Sequence, residues 1–190
     1  MTIHANQDQV QESLNWVAEA ALSETSVPRY LIPWLLEKGL LTSRVQQHCR
    51  QSFQLQVLGS ADAGSGWLRH YKDWAPVQGK HREIVMWCDD VPGLYAETII
   101  PAATAKAQPW LKTLGTQPLG ERLQGLEGVS RSDFEFTCLP VAPAGNNPDS
   151  GVPDSWHTPA QTCLWARRSH YNVQDSKLWV IEVFLSAIQA

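Results

Sequence analysis

Apolar positions recur at helical spacing in the first quarter of the chain, then alternate or run together. Val10, Leu14, Val17, Ala18 and Ala21 predict an amphipathic helix from about Gln7 to Leu22. A second helix is predicted over Pro33–Lys38, with Pro33 in its first turn and Gly39 as its C-terminal cap. Thr42 is placed to cap a third helix through Arg50. The product is a short helical hairpin with Leu40 and Leu41 at its turn. Its last helix carries few bases, which argues against a DNA reader.

Strand signals follow. Phe53–Leu58 alternates between apolar and polar residues, so one face of that strand should meet water. Trp67–Tyr71 is read as a further short strand. His81–Cys88 is a strand ending in the turn sequence Asp89-Asp90-Val91-Pro92-Gly93, and Leu94–Ile100 returns from it. Short helices are predicted over Pro109–Leu114, stopped by Gly115, and from Pro118 to Leu123. Asp133–Leu139 is a strand before a Pro/Gly/Asn-rich loop, Pro140–Pro159. Thr162–Tyr171 and Lys177–Ala187 form a closing hairpin across Asn172–Ser176. The order predicts an α+β fold: one antiparallel sheet of about six strands with helices packed on it. Residues 1–26 read as an N-terminal helical extension and 27–190 as one domain.

Two charges interrupt this pattern. Within Leu178–Leu185, Glu182 shares a strand face with Leu178, Val180 and Phe184. Arg82 shares a face with Ile84, Met86 and Cys88. A buried carboxylate without partners costs several kcal/mol, and a guanidinium is a natural fork for a carboxylate. Three readings fit: an internal Arg82–Glu182 ion pair, strand-end charges that reach solvent, or two ends of a ligand site.

Composition narrows the function. Charged residues make up 18% of the chain and the net charge is −4, with no basic block, which argues against nucleic-acid binding. The nine tryptophans read mainly as core filling, with one or two available to wall a pocket. The first residues lack a basic and then apolar leader pattern. No uncharged apolar run approaches the roughly 18 residues needed to span a bilayer. Cys49, Cys88, Cys138 and Cys163 are far apart, without zinc spacing, and read as reduced core thiols in a cytoplasmic protein. No phosphate-binding glycine loop, G-x-S-x-G or H-E-x-x-H is present.

An ordered set of short motifs adds to this. Trp34-Leu35-Leu36, Arg82-Glu83-Ile84, Thr98-Ile99-Ile100-Pro101 and Leu114-Gly115-Thr116-Gln117-Pro118-Leu119-Gly120 are followed by Arg131-Ser132-Asp133-Phe134, Leu164-Trp165-Ala166-Arg167-Arg168-Ser169 and Ile181-Glu182-Val183-Phe184-Leu185. From about Val27 to Ile188 this resembles the chorismate pyruvate-lyase family of bacterial ubiquinone biosynthesis. The resemblance implies a sheet backed by helices around a small pocket. It also implies conversion of chorismate to 4-hydroxybenzoate and pyruvate by a monomer, without metal or organic cofactor. Arg82 matches the arginine that binds the ring carboxylate, and Leu119 the leucine whose backbone helps hold it. Glu182 matches the glutamate that meets the ring hydroxyl, and Leu41 a flap residue that is often Met in the family. Glu97 stands where the family commonly has an arginine. Glu182 is implied either as a base toward C4–H or as a hydrogen-bond partner of the C4 hydroxyl, with the C4 proton passing within the substrate. The alternative function is a non-catalytic effector-binding domain of the same fold, taking an aromatic acid.

Overall fold

Long strands buried along nearly their whole length set the framework. In a computed structural model, which describes residues 13–61, 67–71, 73–141, 156, 158 and 161–188, eight strands form one sheet. They are β1 (Val17–Ala18), β2 (Phe53–Ala61), β3 (Lys80–Cys88), β4 (Val91–Ile100), β5 (Val129–Arg131), β6 (Glu135–Pro140), β7 (Cys163–Val173) and β8 (Ser176–Phe184). Every pairing is antiparallel, in the order β1-β6-β7-β8-β4-β3-β2, with β5 also on β7. The hairpins β3–β4 and β7–β8 meet through β4 and β8 at the centre. Those two strands are covered on both faces, which explains their nearly continuous apolar sequence. β2 lies at an edge, and its outer residues Gln54, Gln56 and Leu58 are exposed as the alternation predicts.

Four helices complete the fold among the described residues: α1 (Ile32–Leu35), α2 (Leu41–His48), α3 (Ala102–Ala107) and α4 (Leu119–Gln124). On one face of the sheet, Val85, Tyr95, Ile99, Ile181 and Val183 pack with Leu14, Leu68, Tyr71 and Trp156. The other face carries two separate layers. Leu31, Trp34, Leu35, Leu41 and Val45 of the α1–α2 hairpin cover Ile84, Met86, Ala96 and Phe184. Leu111, Leu114, Leu119 and Leu123 cover Ile100, Leu178 and Val180. The candidate site lies at the seam between these layers.

Several sequence expectations are corrected. Residues 17–24 form β1 and a 3-10 turn (Glu19–Glu24) in place of the predicted helix, whose residues 7–12 lie outside the described residues. A two-residue pairing of Val17 and Ala18 with Phe136 and Glu135 overrides the helical spacing. Trp67–His70 is a 3-10 turn, and α3 and β5 were not foreseen. Thr42 is buried inside α2, whose N-cap is Leu40. Most of the Pro140–Pro159 loop lies outside the described residues. The four cysteines, expected as separate thiols, are disulfide-paired: Cys49–Cys88 and Cys138–Cys163, with Cα atoms 5.0 and 5.7 Å apart. Sequence separations of 39 and 25 residues hid that proximity. With the pairing, unpaired thiols no longer argue for a reducing compartment.

The β3–β4 turn is tighter than predicted. Asp89 and Asp90 take positive φ values of 52° and 62°, and the return strand already begins at Val91. This two-residue turn matches the twist of the flanking strands. The Asp89 carboxylate accepts hydrogen bonds from the backbone N–H groups of Ser52, Arg50 and Gln51 at 2.8, 2.9 and 2.7 Å. Those bonds favour the charged form and hold its pKa below the ordinary value. The stability they supply is present above the ordinary carboxylate pKa and is lost as pH falls through the depressed one. Asp89→Asn keeps the turn conformation but removes the charge. Thermal unfolding across pH should show a lower Tm at pH 7 and a smaller loss of stability on the acid side than in the parent.

Candidate active site

Strand parity sends Arg82 from β3 and Glu182 from β8 into the same seam, as their sequence faces predict. Both are buried, at 6% and 8% exposure, and they do not pair with each other among the described residues. The direct ion pair is therefore excluded, as is a simple reach to solvent. Each charge is met by a different part of the protein.

Arg82 Nη2 donates to the carbonyls of Gly115 (2.8 Å) and Gln117 (3.2 Å) in the loop before α4. Gly115 has φ 52°, a conformation that suits glycine. Arg82 thus holds the loop that presents Leu119, while its Nε and Nη1 make no hydrogen bond among the described residues. Burial lowers its pKa, yet a guanidinium remains a cation at working pH.

Glu182 is met by two arginines absent from the sequence-based site. Arg167 Nε donates to Oε2 at 2.7 Å, and Arg131 Nη2 donates to the same oxygen at 3.0 Å. Oε1 receives no hydrogen bond among the described residues. Burial pushes the Glu182 pKa up, but the charges and hydrogen bonds of Arg167 and Arg131 outweigh it, and the net direction is down. Glu182 is held ionised.

Arg167 is fully buried and faces Glu182 directly across the β7–β8 ladder. Its Nη1 donates to the carbonyls of Trp34, Leu35 and Glu37 at 3.3, 2.9 and 2.7 Å, satisfying the C-terminal end of α1. One side chain thereby ties the carboxylate to the base of the helical hairpin. Arg131 lies between the rings of Phe134 and Tyr171, 4.4 and 4.8 Å from their centroids, and its Nε donates to Ser169 Oγ at 2.8 Å.

Leu41, Arg82, Leu119 and Glu182, the four residues expected at the site, line one cavity of about 50 Å³. Its walls include Ile84, Met86, Ala96 and Val180; Thr98, Arg131 and Tyr171 add polar groups that sequence reasoning assigned no role. A signal for Arg167 was present: counting back from a two-residue turn at Gln174-Asp175 puts it opposite Glu182. Arg131 carried no such signal, because β5 is a three-residue strand. The described residues contain no group of three or more His, Cys, Asp or Glu arranged to hold a metal ion.

Glu97, the departure from the family pattern, points away from the cavity. It is wholly buried on the opposite face, 2.8 Å from His81 Nδ1 and 3.1 Å from the Tyr95 hydroxyl.

Comparison with known proteins places the chain in a family. The chorismate lyase family profile matches residues 11–189. The chain belongs to the chorismate lyase family. A "Probable chorismate pyruvate-lyase" of Shewanella loihica is 32% identical, covering 92% of this chain and 88% of the relative. One of the same name from Ralstonia nicotianae is 32% identical, covering 82% and 80%. Among solved structures, the C-terminal domain of the histidine utilization repressor from Pseudomonas syringae pv. tomato matches with a TM-score of 0.41 and 11% identity, over 72% of this chain and 93% of that domain. No helix among the described residues is long and apolar enough to cross a membrane.

Within this family member, Arg167 should be the most sensitive position for stability. Arg167→Met removes one partner of a buried ion pair and the cap of α1. Urea unfolding is expected to show a loss of about 3–5 kcal/mol.

Proposed function

We propose that the protein is a chorismate pyruvate-lyase, releasing 4-hydroxybenzoate and pyruvate without a metal or organic cofactor. The observation that carries this reading is one cavity, walled by Leu41, Ile84, Met86 and Val180, that holds a buried guanidinium, Arg82, and a buried ionised carboxylate, Glu182, each held by other groups and each with unused hydrogen-bonding capacity. A ring bearing a carboxylate and, opposite it, a hydroxyl complements that pair. The family resemblance implies ubiquinone biosynthesis as the pathway that uses the product.

In this reading Arg82 takes the ring carboxylate with help from the backbone of Leu119. Glu182 Oε1 accepts the hydrogen bond of the C4 hydroxyl. The C3–O bond to the enolpyruvyl group breaks, C4 loses its hydrogen as a proton, and the ring becomes aromatic. A carboxylate held ionised by two guanidiniums is a weak base. This favours passage of the C4 proton to the enolpyruvyl methylene carbon, which becomes the methyl group of pyruvate. The protein then contributes orientation and a shaped field.

The assay is direct: purified protein is incubated with chorismate after exhaustive chelation, and 4-hydroxybenzoate and pyruvate are measured. Equal amounts of both are expected; binding of 4-hydroxybenzoate without turnover would favour the effector-binding alternative. Arg82→Ala should weaken 4-hydroxybenzoate binding, measured by calorimetry, by about 2–5 kcal/mol, because it strands an anion in a dry site. Glu182→Gln keeps the shape and an acceptor, and should weaken it less. The acid limb of kcat/KM that reports Glu182 should fall below the ordinary carboxylate range, following its depressed pKa in the free protein.

The same cavity needs a gate. α2 is tied to β3 by Cys49–Cys88 and α1 to the sheet by Arg167, so the hairpin base is fixed; the tip around Gly39, Leu40 and Leu41, stitched by Glu37 to the Gly39 N–H and to Arg44 at 2.7 Å each, would move as one piece. Leu40 rests against Gly120, where an added Cβ would approach Leu40 Cδ2 to 3.0 Å. Replacing Leu40 and Leu41 with alanine should weaken product binding and speed its release. In rapid-mixing experiments the parent should show a product burst and the double variant a smaller one. A parent without a burst, with product affinity unchanged in the variant, would exclude this tip as the rate-limiting gate.

A further inference from the structure

Chorismate carries two carboxylates, and the pair Arg82–Glu182 accounts for only one of them. The charges around the cavity point to where the second belongs. Arg82, Arg131 and Arg167 bring three positive charges and Glu182 one negative charge, leaving a surplus of two against a dianion. Arg82 takes the ring carboxylate in the reading above. Arg167 is fully buried, has Nη1 committed to α1 carbonyls, and is absent from the cavity wall. The remaining surplus is presented to the cavity by Arg131.

Position agrees with charge. The C3 ether is adjacent to C4, so a C4 hydroxyl on Glu182 places the enolpyruvyl group beside Glu182. Arg131 is 3.0 Å from Glu182 and lies against Tyr171. Arg131, Tyr171, Gly39, Leu40 and Gly120 are shared between the inner cavity and an outer cleft of about 230 Å³. That cleft runs past the hairpin tip, with Lys38 at its edge. Ser169 and the two flanking rings hold the Arg131 fork in place, while Nε and Nη2 use two of its five N–H donors.

We infer that Arg131 and the outer cleft form the subsite for the enolpyruvyl carboxylate, and that pyruvate leaves through this cleft while the aromatic product stays in the inner cavity. The inference rests on the lyase reading for its substrate. Its prediction about ligands, a preference for a second anionic group on the carbon next to the hydroxyl-bearing one, is measurable without turnover.

The test uses two ring acids of nearly equal shape: 3-(carboxymethoxy)benzoate and its side-chain amide, 3-(carbamoylmethoxy)benzoate. Calorimetry on the parent protein should show the diacid bound at least about tenfold more tightly than the amide, as expected for a charge pair shielded from water. Arg131→Gln should erase that preference, and Arg131→Lys should retain part of it. With chorismate, Arg131→Gln should raise KM at least about tenfold more than it weakens 4-hydroxybenzoate inhibition, since both ligands feel the altered support of Glu182 and the product lacks the second carboxylate. If Arg131 only supported Glu182, both ligands would weaken together, and that result overturns the assignment. So does a parent protein that binds diacid and amide equally, a measurement independent of how well the variants fold. A parent that keeps the diacid preference but makes no 4-hydroxybenzoate from chorismate overturns the lyase reading and leaves the anion subsite standing.

Discussion

The structure depends on keeping one carboxylate ionised inside an apolar seam. Glu182 sits on a central strand covered on both faces, where an unpaired charge is too costly to persist. Two guanidiniums reach one of its oxygens from strands on the same side. That solution constrains much else: Arg167 must be opposite Glu182 in the ladder, β5 must pair with β7 to bring Arg131 in, and α1 must end where its carbonyls meet Arg167. The hairpin position, the cavity wall and the charge at its centre are parts of one network. Truncating any member leaves the others buried and underpaired, so the network specifies a geometry as much as it contributes stability.

A second constraint is the gap between the helical layers. The α1–α2 hairpin packs over Ile84, Met86 and Phe184, while the α4 region packs over Ile100, Leu178 and Val180. Closing that gap with larger apolar side chains would bury Arg82 without access to a ligand. The chain instead puts Leu41 and Leu119 on either side and lets Leu40 meet Gly120 at the rim. A short tip on an anchored base suits such a gap, because opening it exposes the seam without breaking the sheet ladder.

Much of this was legible in the sequence, for identifiable reasons. The α+β plan followed from strand alternation and Pro/Gly punctuation, and the faces of Arg82 and Glu182 followed from period two. Where the strands were long and doubly covered, parity was unambiguous. Leu41 and Leu119 came only through family resemblance, because backbone contact leaves no side-chain signature. The arginines that meet Glu182 were passed over for opposite reasons. Arg167 required the register of a hairpin whose turn was read too loosely, and Arg131 belongs to a strand too short to alternate. The N-terminal segment misled because a few apolar residues at helical spacing can equally cap a sheet edge, and tertiary pairing decided against the helix. Disulfide partners were hidden because their proximity arises only once the sheet is assembled.

Position 97 shows how the sheet separates two chemistries. β4 sends Ala96 and Thr98 toward the cavity and Tyr95 and Glu97 to the other side. On that far side Glu97 lies opposite Glu83 in the ladder, a repulsive arrangement. Tyr95 donates to one or other carboxylate from between them, at 3.1 Å to each, and His81 meets Glu97 at 2.8 Å. Burial and the neighbouring Glu83 together push the Glu97 pKa up despite the contact with His81, whereas the guanidiniums of the cavity draw the Glu182 pKa down. The backbone of one sheet thus keeps a hydrogen-bonded cluster of Glu83, Tyr95, Glu97 and His81 on one face and an ionised carboxylate on the other. Glu97 is met by His81 and Tyr95 behind the sheet, and the guanidiniums that line or support the cavity have their own partners on its other face.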